Sequence, residues 1–424
     1  MTATRGDARA RRGRRRGRED QKDTRPPVPR EAWTRLAACT AAAALLQLDG
    51  TVITVALPSV ARGLHVSSSS TAIVLSVYFA AYALLLFPGG RLVDRFGARR
   101  VALLGLMIFA LGAALGEVVS SLALLSLTRV VQGVGAGLVS PAALAGAVSG
   151  FPPERRGGAL GIWGASAGLA NLVGPLLGGI LTVVFGWRSD WWALVPMALL
   201  VAWAVAVHVP RVVHEVGVEG RGRVLNRTVV AAALVAGLTF AVMIGAFYLA
   251  EQYLQKTAHY SALGASSVLV VVALFVGAAA PLAGRLVDSR GERFPTALGF
   301  IGAGVGMGVI GIPGVSLTGL GAGIALVPIG LGLGMLFVPV SRAALNSIPD
   351  HSHGRVSAVL STARLAGAAL GAGLAGVALS SSGPSASALH TALLVAAGAC
   401  LLVGLPATAQ FQRRTRLPAA EPAA

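Results

Sequence analysis

Gly90-Arg91-Leu92-Val93-Asp94 recurs as Gly284-Arg285-Leu286-Val287-Asp288, and a further glycine, Gly97 or Gly291, follows three residues later in both copies. The copies are 194 residues apart in a chain of 424. Five identical residues with a glycine in register mark an internal duplication, and the flanks show what is duplicated. Each copy ends one apolar run and precedes another, so it is the turn between two consecutive helices. A helix needs about 20 apolar residues to cross about 30 Å of hydrocarbon. Runs of that kind lie at roughly 34–58, 69–88, 101–119, 122–146, 158–183, 189–209, 228–251, 262–284, 295–313, 317–341, 356–380 and 387–407. The repeat maps the turn between runs two and three onto that between runs eight and nine. The prediction is an all-α polytopic membrane protein of 12 transmembrane helices, built as two six-helix bundles related by a pseudo-twofold axis along the membrane normal.

Composition agrees. The chain is 55% apolar and 12% charged, with mean hydropathy +0.73, whereas a soluble domain carries about 25% charged residues. The formal charge of +18 would in a soluble protein point to nucleic acid, but its distribution points to topology. Thirty of the 35 Lys and Arg fall in the two tails or in alternate inter-run segments, three (Arg62, Arg188, Lys256) in the other segments, and Arg129 and Arg364 inside runs. By the positive-inside rule both termini are cytoplasmic. The expected plan is a basic tail at 1–33, bundles at 34–209 and 228–410, a cytoplasmic linker at 210–227, and a second tail at 411–424. The first tail, rich in arginine and followed by no small-residue cleavage pattern, reads as an orienting segment rather than a cleaved leader. Expected partners are the bilayer, protons and a small-molecule substrate, not nucleic acid, with the protein acting as a monomer in the cell membrane.

Cys39 and Cys400 sit in separate runs, and the seven His are scattered, which offers no metal-ligand spacing. No nucleotide-binding or hydrolase motif occurs, so the reading is of a protein that is not an enzyme and uses no cofactor.

The turn Gly90-x-Leu-x-Asp94-x-x-Gly97-x-Arg99-Arg100 resembles the signature loop of the major facilitator superfamily. Three further segments resemble signatures of its drug:proton antiporters of the 14-helix branch: Leu48-Asp49-Gly-Thr-Val-Ile-Thr-Val-Ala-Leu-Pro58, Leu127-Thr-Arg129-Val-Val-Gln132-Gly133-x-Gly135, and Gly161-x8-Ala170-x3-Gly174-Pro175-x2-Gly178-Gly179. Two departures stand out: Ala170 replaces a usual glycine, and the short linker leaves no room for the two extra central helices. The resemblance implies a proton-driven exporter of hydrophobic small molecules, cationic ones allowed, such as drugs or antibiotics, working by alternating access. The alternatives are an exporter of one endogenous metabolite and a non-transporting sensor or scaffold.

Residue roles follow. Asp49, deep in the first run, is costly in lipid and needs a cavity or a partner. Arg129 is the candidate partner and Gln132 a member of the polar path. The three are read as the proton-coupling group, with a static pair joining helices one and four as the other reading. The repeated turn reads as a cytoplasmic gate made of Gly90, Asp94, Arg95, Gly97, Arg99, Asp288 and Gly291. In it Asp94 faces the start of helix 11 near Ser357 and Asp288 that of helix five near Gly158, each meeting a positive helix end. Arg95, Arg99 and Arg100 can pair with Glu154 or simply enforce topology. By resemblance, Gly161, Gly174, Pro175, Gly178 and Gly179 form the antiporter motif where helix five meets helix eight, and Asn171, Phe247, Tyr248 and Arg364 line the substrate cavity. Glu117 and Glu251, at outer helix ends, are expected to be solvated, with a cavity mouth as the other reading for Glu251.

Overall fold

The computed structural model describes residues 28–152, 156–211, 225–312, 319–348, 353–382 and 385–411. Among them run the helices α1 (Arg30–Gly63), α2 (Ala72–Phe96), α3 (Ala98–Val118), α4 (Leu122–Val148), α5 (Arg156–Phe185), α6 (Ser189–His208), α7 (Arg227–Lys256), α8 (Ala262–Arg290), α9 (Arg293–Ile310), α10 (Gly319–Asn346), α11 (His353–Ser382) and α12 (Ala386–Ala399). A wider turn at Cys400–Gly404 and a last short turn at Leu405–Ala407 extend α12. Eleven of these helices are long and apolar enough to cross a membrane over described residues, and α5 contributes an apolar stretch at Val173–Phe185. Residues 1–27, 212–224 and 412–424, most of the predicted tails and linker, lie outside the described residues, and α1 begins at Arg30, inside the stretch assigned to the first tail.

Packing repeats between the halves. In the first, α1 lies on α5, α4 on α2 and α3, and α6 on α3; in the second, α7 lies on α11, α10 on α8 and α9, and α12 on α9. The halves meet chiefly along two pairs, α2 with α11 and α5 with α8, and less extensively where α1 touches α7. In lipid the hydrophobic effect does not hold helices together, so close approach of small residues must. A Cβ on Gly367 would strike the Gly237 carbonyl and one on Gly371 that of Ala241, so α7 and α11 touch backbone to backbone. Large apolar side chains remain outside, as at Leu84 (73% exposed), Phe185 (72%) and Leu402 (78%), a surface for lipid tails rather than water.

The repeated turn is the same structure twice. Gly97 (φ +84°) and Gly291 (φ +78°) are left-handed, and each amide closes the preceding helix by donating to the carbonyl four residues back, Val93 at 2.8 Å and Val287 at 2.9 Å. A side chain disfavours that conformation, which is the physical reason for glycine in both copies. These turns lie at the end of the bundle shared by the termini, called here the near end.

Candidate functional site

Asp49 and Arg129 are both wholly buried. Arg129 Nη1 donates to both carboxylate oxygens of Asp49, at 2.7 and 2.9 Å, and to Gln132 Oε1 at 2.9 Å. Its Nε reaches the Val74 carbonyl on α2 at 3.4 Å. The guanidinium lies 4.1 Å from the centre of the Tyr78 ring, and the Tyr78 hydroxyl donates to the Leu46 carbonyl on α1 at 3.1 Å. One cation thus ties α1, α2 and α4 together. The structure brings the three predicted residues into one group, closed to water in this conformation.

Asp94 is exposed and bonds no described residue, Ser357 of α11 included. Asp288 accepts from Arg342 at the end of α10, within its own half, and both side chains are solvent-accessible; Gly158, its predicted neighbour at the start of α5, has its surroundings outside the described ones. The first half has Val148 at the corresponding end of α4, which explains the asymmetry. Arg95 is exposed and lies over Phe96, and Arg99 is half-buried. Their proposed partner Glu154 lies outside the described residues. A Cβ on Gly90 would meet nothing within 4 Å.

The glycines of α5 divide between two partners. A Cβ on Gly174 would strike Thr51, and one on Gly178 would come 2.6 Å from the Val52 carbonyl, so these two face α1 in their own half. Gly179 faces α8, 2.9 Å from Ser266 Oγ and 3.0 Å from Leu263 Cα. Only the last sits where the halves meet; Pro175 lies inside the helix beside Gly174. Gly161 and Asn171 fall on α5, where their side chains are outside the described ones.

Among the cavity candidates, Phe247 is half-buried on α7. Arg364, half-buried on α11, donates to Ser341 Oγ at 2.9 Å and faces Phe240, 5.9 Å from the ring centre. It edges a small recess lined also by Phe337, Thr239 and Val340. No described carboxylate pairs with it. Tyr248 is no open cavity wall: it is fully buried, its hydroxyl donating to the Ser68 carbonyl and paired with Thr71 Oγ1 at 2.9 Å, across the boundary between halves.

Glu251 corrects an expectation. It and Gln252 are completely buried, because the α1–α2 turn of the opposite half folds over this part of α7. Gln255 Nε2 donates to Glu251 Oε1 at 2.7 Å and to the Val55 carbonyl of α1 at 2.9 Å, and Gln252 Nε2 reaches Thr71 Oγ1 at 3.4 Å. Sequence position misled, since Glu251 is five residues from the end of α7. The signal available was the trio of Glu251, Gln252 and Gln255, which share one helical face in an otherwise apolar run. These bonds, with the contact of Gly179 on α8, close the halves together at the end opposite the termini, the far end.

A model of the Major Facilitator Superfamily matches residues 39–372. The chain belongs to this superfamily. It is 31% identical over 413 residues to the puromycin resistance protein pur8 of Streptomyces alboniger, covering 82% of each chain. It is 27% identical over 393 residues to the multidrug resistance protein Stp of Mycobacterium tuberculosis, covering 77% of this chain and 72% of that one. The fold is shared with a bacterial homologue of the human lysosomal transporter Spinster, crystallised in an inward-facing, unoccupied conformation, with a TM-score of 0.71 at 18% identity over 91% of this chain and 98% of the other. This chain is therefore a multi-pass membrane transporter of the superfamily. Among the described residues no group of three or more His, Cys, Asp or Glu is placed to hold a metal ion.

Proposed function

We propose that this protein is a proton-driven exporter of apolar small molecules, antibiotics among them, in the cytoplasmic membrane with both termini inside. The observation that carries the reading is the Asp49–Arg129 pair, an ion pair at depth in a superfamily transporter whose relatives confer drug resistance. A proton on Asp49 would cancel the attraction that holds α1 to α4, so protonation changes helix packing directly. With the termini inside, closure at the far end makes this conformation inward-facing. For export to be proton-driven, Asp49 takes its proton from the far side while that end is open and releases it to the near side after the far end has closed; the sealed Asp49–Arg129 pair is the state that follows release.

Arg364 narrows the substrate chemistry. A guanidinium with no described carboxylate beside it, flanked by Phe240 and Phe337, repels a cation and suits a flat apolar molecule bearing a carbonyl, phenol or carboxylate. This favours neutral or acidic substrates over the cationic ones allowed by the sequence. The test is transport in proteoliposomes under an imposed pH gradient, with a panel of acidic, neutral and basic aromatic drugs. Substrate-dependent proton flux that Asp49→Asn abolishes supports the reading; a panel that yields none overturns it.

A further inference from the structure

We propose that Glu251 is a second proton-binding site, which takes a proton from the far side as the two halves close there and returns it to that side as they open. This goes beyond export and rests on alternating access alone.

The geometry carries it. Glu251 Oε1 is occupied by Gln255, while Oε2 has no partner and neither does the neighbouring Gln252 Oε1. An ionised carboxylate sealed in an apolar seam without a cation is strongly disfavoured, and a neutral one is not. The surrounding elements supply no counter-charge. Beside it α1 presents the Val55 carbonyl, and its one cation at this end, Arg62, is exposed and bonded to Ser59. The α1–α2 turn presents Ser68 and Thr71 around Tyr248, with His65 exposed. On α11 the cation nearest the far end is Arg364, which bonds Ser341. On α8 and α10 the basic groups are Arg285, Arg290 and Arg342, all near the opposite end, and α12 contributes His390. On α7 itself Lys256 is the last residue of the helix, and the following turn holds an exposed His259. None of these pairs with Glu251.

The carboxyl is also wired to the seam. Gln255 holds Glu251 with one hand and the opposite half with the other, and Tyr248 and Gln252, on the same helix, grip the α1–α2 turn. Separating the halves at this end breaks the bonds of Gln255 to Val55 and of Tyr248 and Gln252 to the α1–α2 turn, and admits water to Oε2. The only covalent change is one O–H bond, formed at closure with a proton from far-side water and broken at opening. Protonation therefore favours the closed far end and loss of the proton favours the open one, so raising the pH opens it.

The test places spin labels at Ser67 and His259, exposed positions on opposite sides of the seam, and follows their distance against pH in nanodiscs without substrate. The two native cysteines are buried, so introduced ones label selectively. Wild type is expected to show the short distance at low pH and a growing long-distance population as pH rises. Glu251→Gln should hold the short distance throughout, Glu251→Asp should restore the response, and Glu117→Gln, another carboxyl at this end, should leave it unmoved. A pH-independent distance in wild type overturns the proposal, and so does a full transition in Glu251→Gln. Because no substrate is present, an intact transition alongside a failed transport panel sinks the exporter reading and leaves this site standing.

Discussion

Asp49 and Glu251 are both buried completely, and their surroundings are opposites. Asp49 lies within the first half, between α1, α2 and α4, against a guanidinium that meets both its oxygens. Glu251 lies at the seam between halves, against an amide that meets one oxygen and leaves the other bare. The first carries its charge inside and compensates it; the second has no charge to lean on and changes environment whenever the halves part. A charge pair inside one rigid bundle serves cohesion and local switching, whereas a lone acid at a moving boundary reports the boundary's state.

The comparison breaks most visibly if the pair is halved. Arg129→Met leaves Asp49 buried and unmatched, and should cost about 3–5 kcal/mol, read as a large drop in the thermal midpoint of the purified protein. The double change Asp49→Asn with Arg129→Gln should recover most of it. Glycine substitution draws a second contrast. Gly178→Leu drives bulk into the Val52 backbone within one half and should destabilise by about 1–3 kcal/mol, while Gly179→Leu, at the seam, should leave the midpoint nearly unchanged and lengthen the far-end distance. Smaller again is Glu251→Gln, which keeps an acceptor for Gln255. Its stability should stay within about 1 kcal/mol of wild type, measured by the same melt, and a loss matching that of Arg129→Met would show that Glu251 is held as a charge. Last, Arg364→Gln should leave stability alone and shift relative transport of basic over acidic drugs by about tenfold, a difference of about 1.4 kcal/mol.

Much of this was readable beforehand, for reasons that differ by residue. The two turns announced themselves because a left-handed helix end admits little but glycine, so the constraint is written locally at Gly97 and Gly291. Asp49 and Arg129 were legible because lipid makes every intramembrane charge conspicuous. Glu251 was not, since its burial comes from a turn some 180 residues away along the chain, and a position near a helix end looks wet until the opposite half is in place. The gate residues fared differently again. Asp94 and Asp288 carry the same local sequence and are both exposed, yet Asp288 is paired with Arg342, because that partner lies on a different helix and the first half has Val148 in its place. Glycine content in α5 showed tight packing but not its direction, which depends on which side of the helix faces α1 and which faces α8.

The backbone contact between α7 and α11 has a mechanical meaning. Gly367 against Gly237 and Gly371 against Ala241 leave no layer of side chains to slide or compress, so the two helices move as one bar. That bar carries Glu251 on one member and lies against α2 of the opposite half with the other. A displacement imposed anywhere along α11, by a ligand beside Arg364 for instance, is therefore delivered undamped to the seam where Glu251 is held.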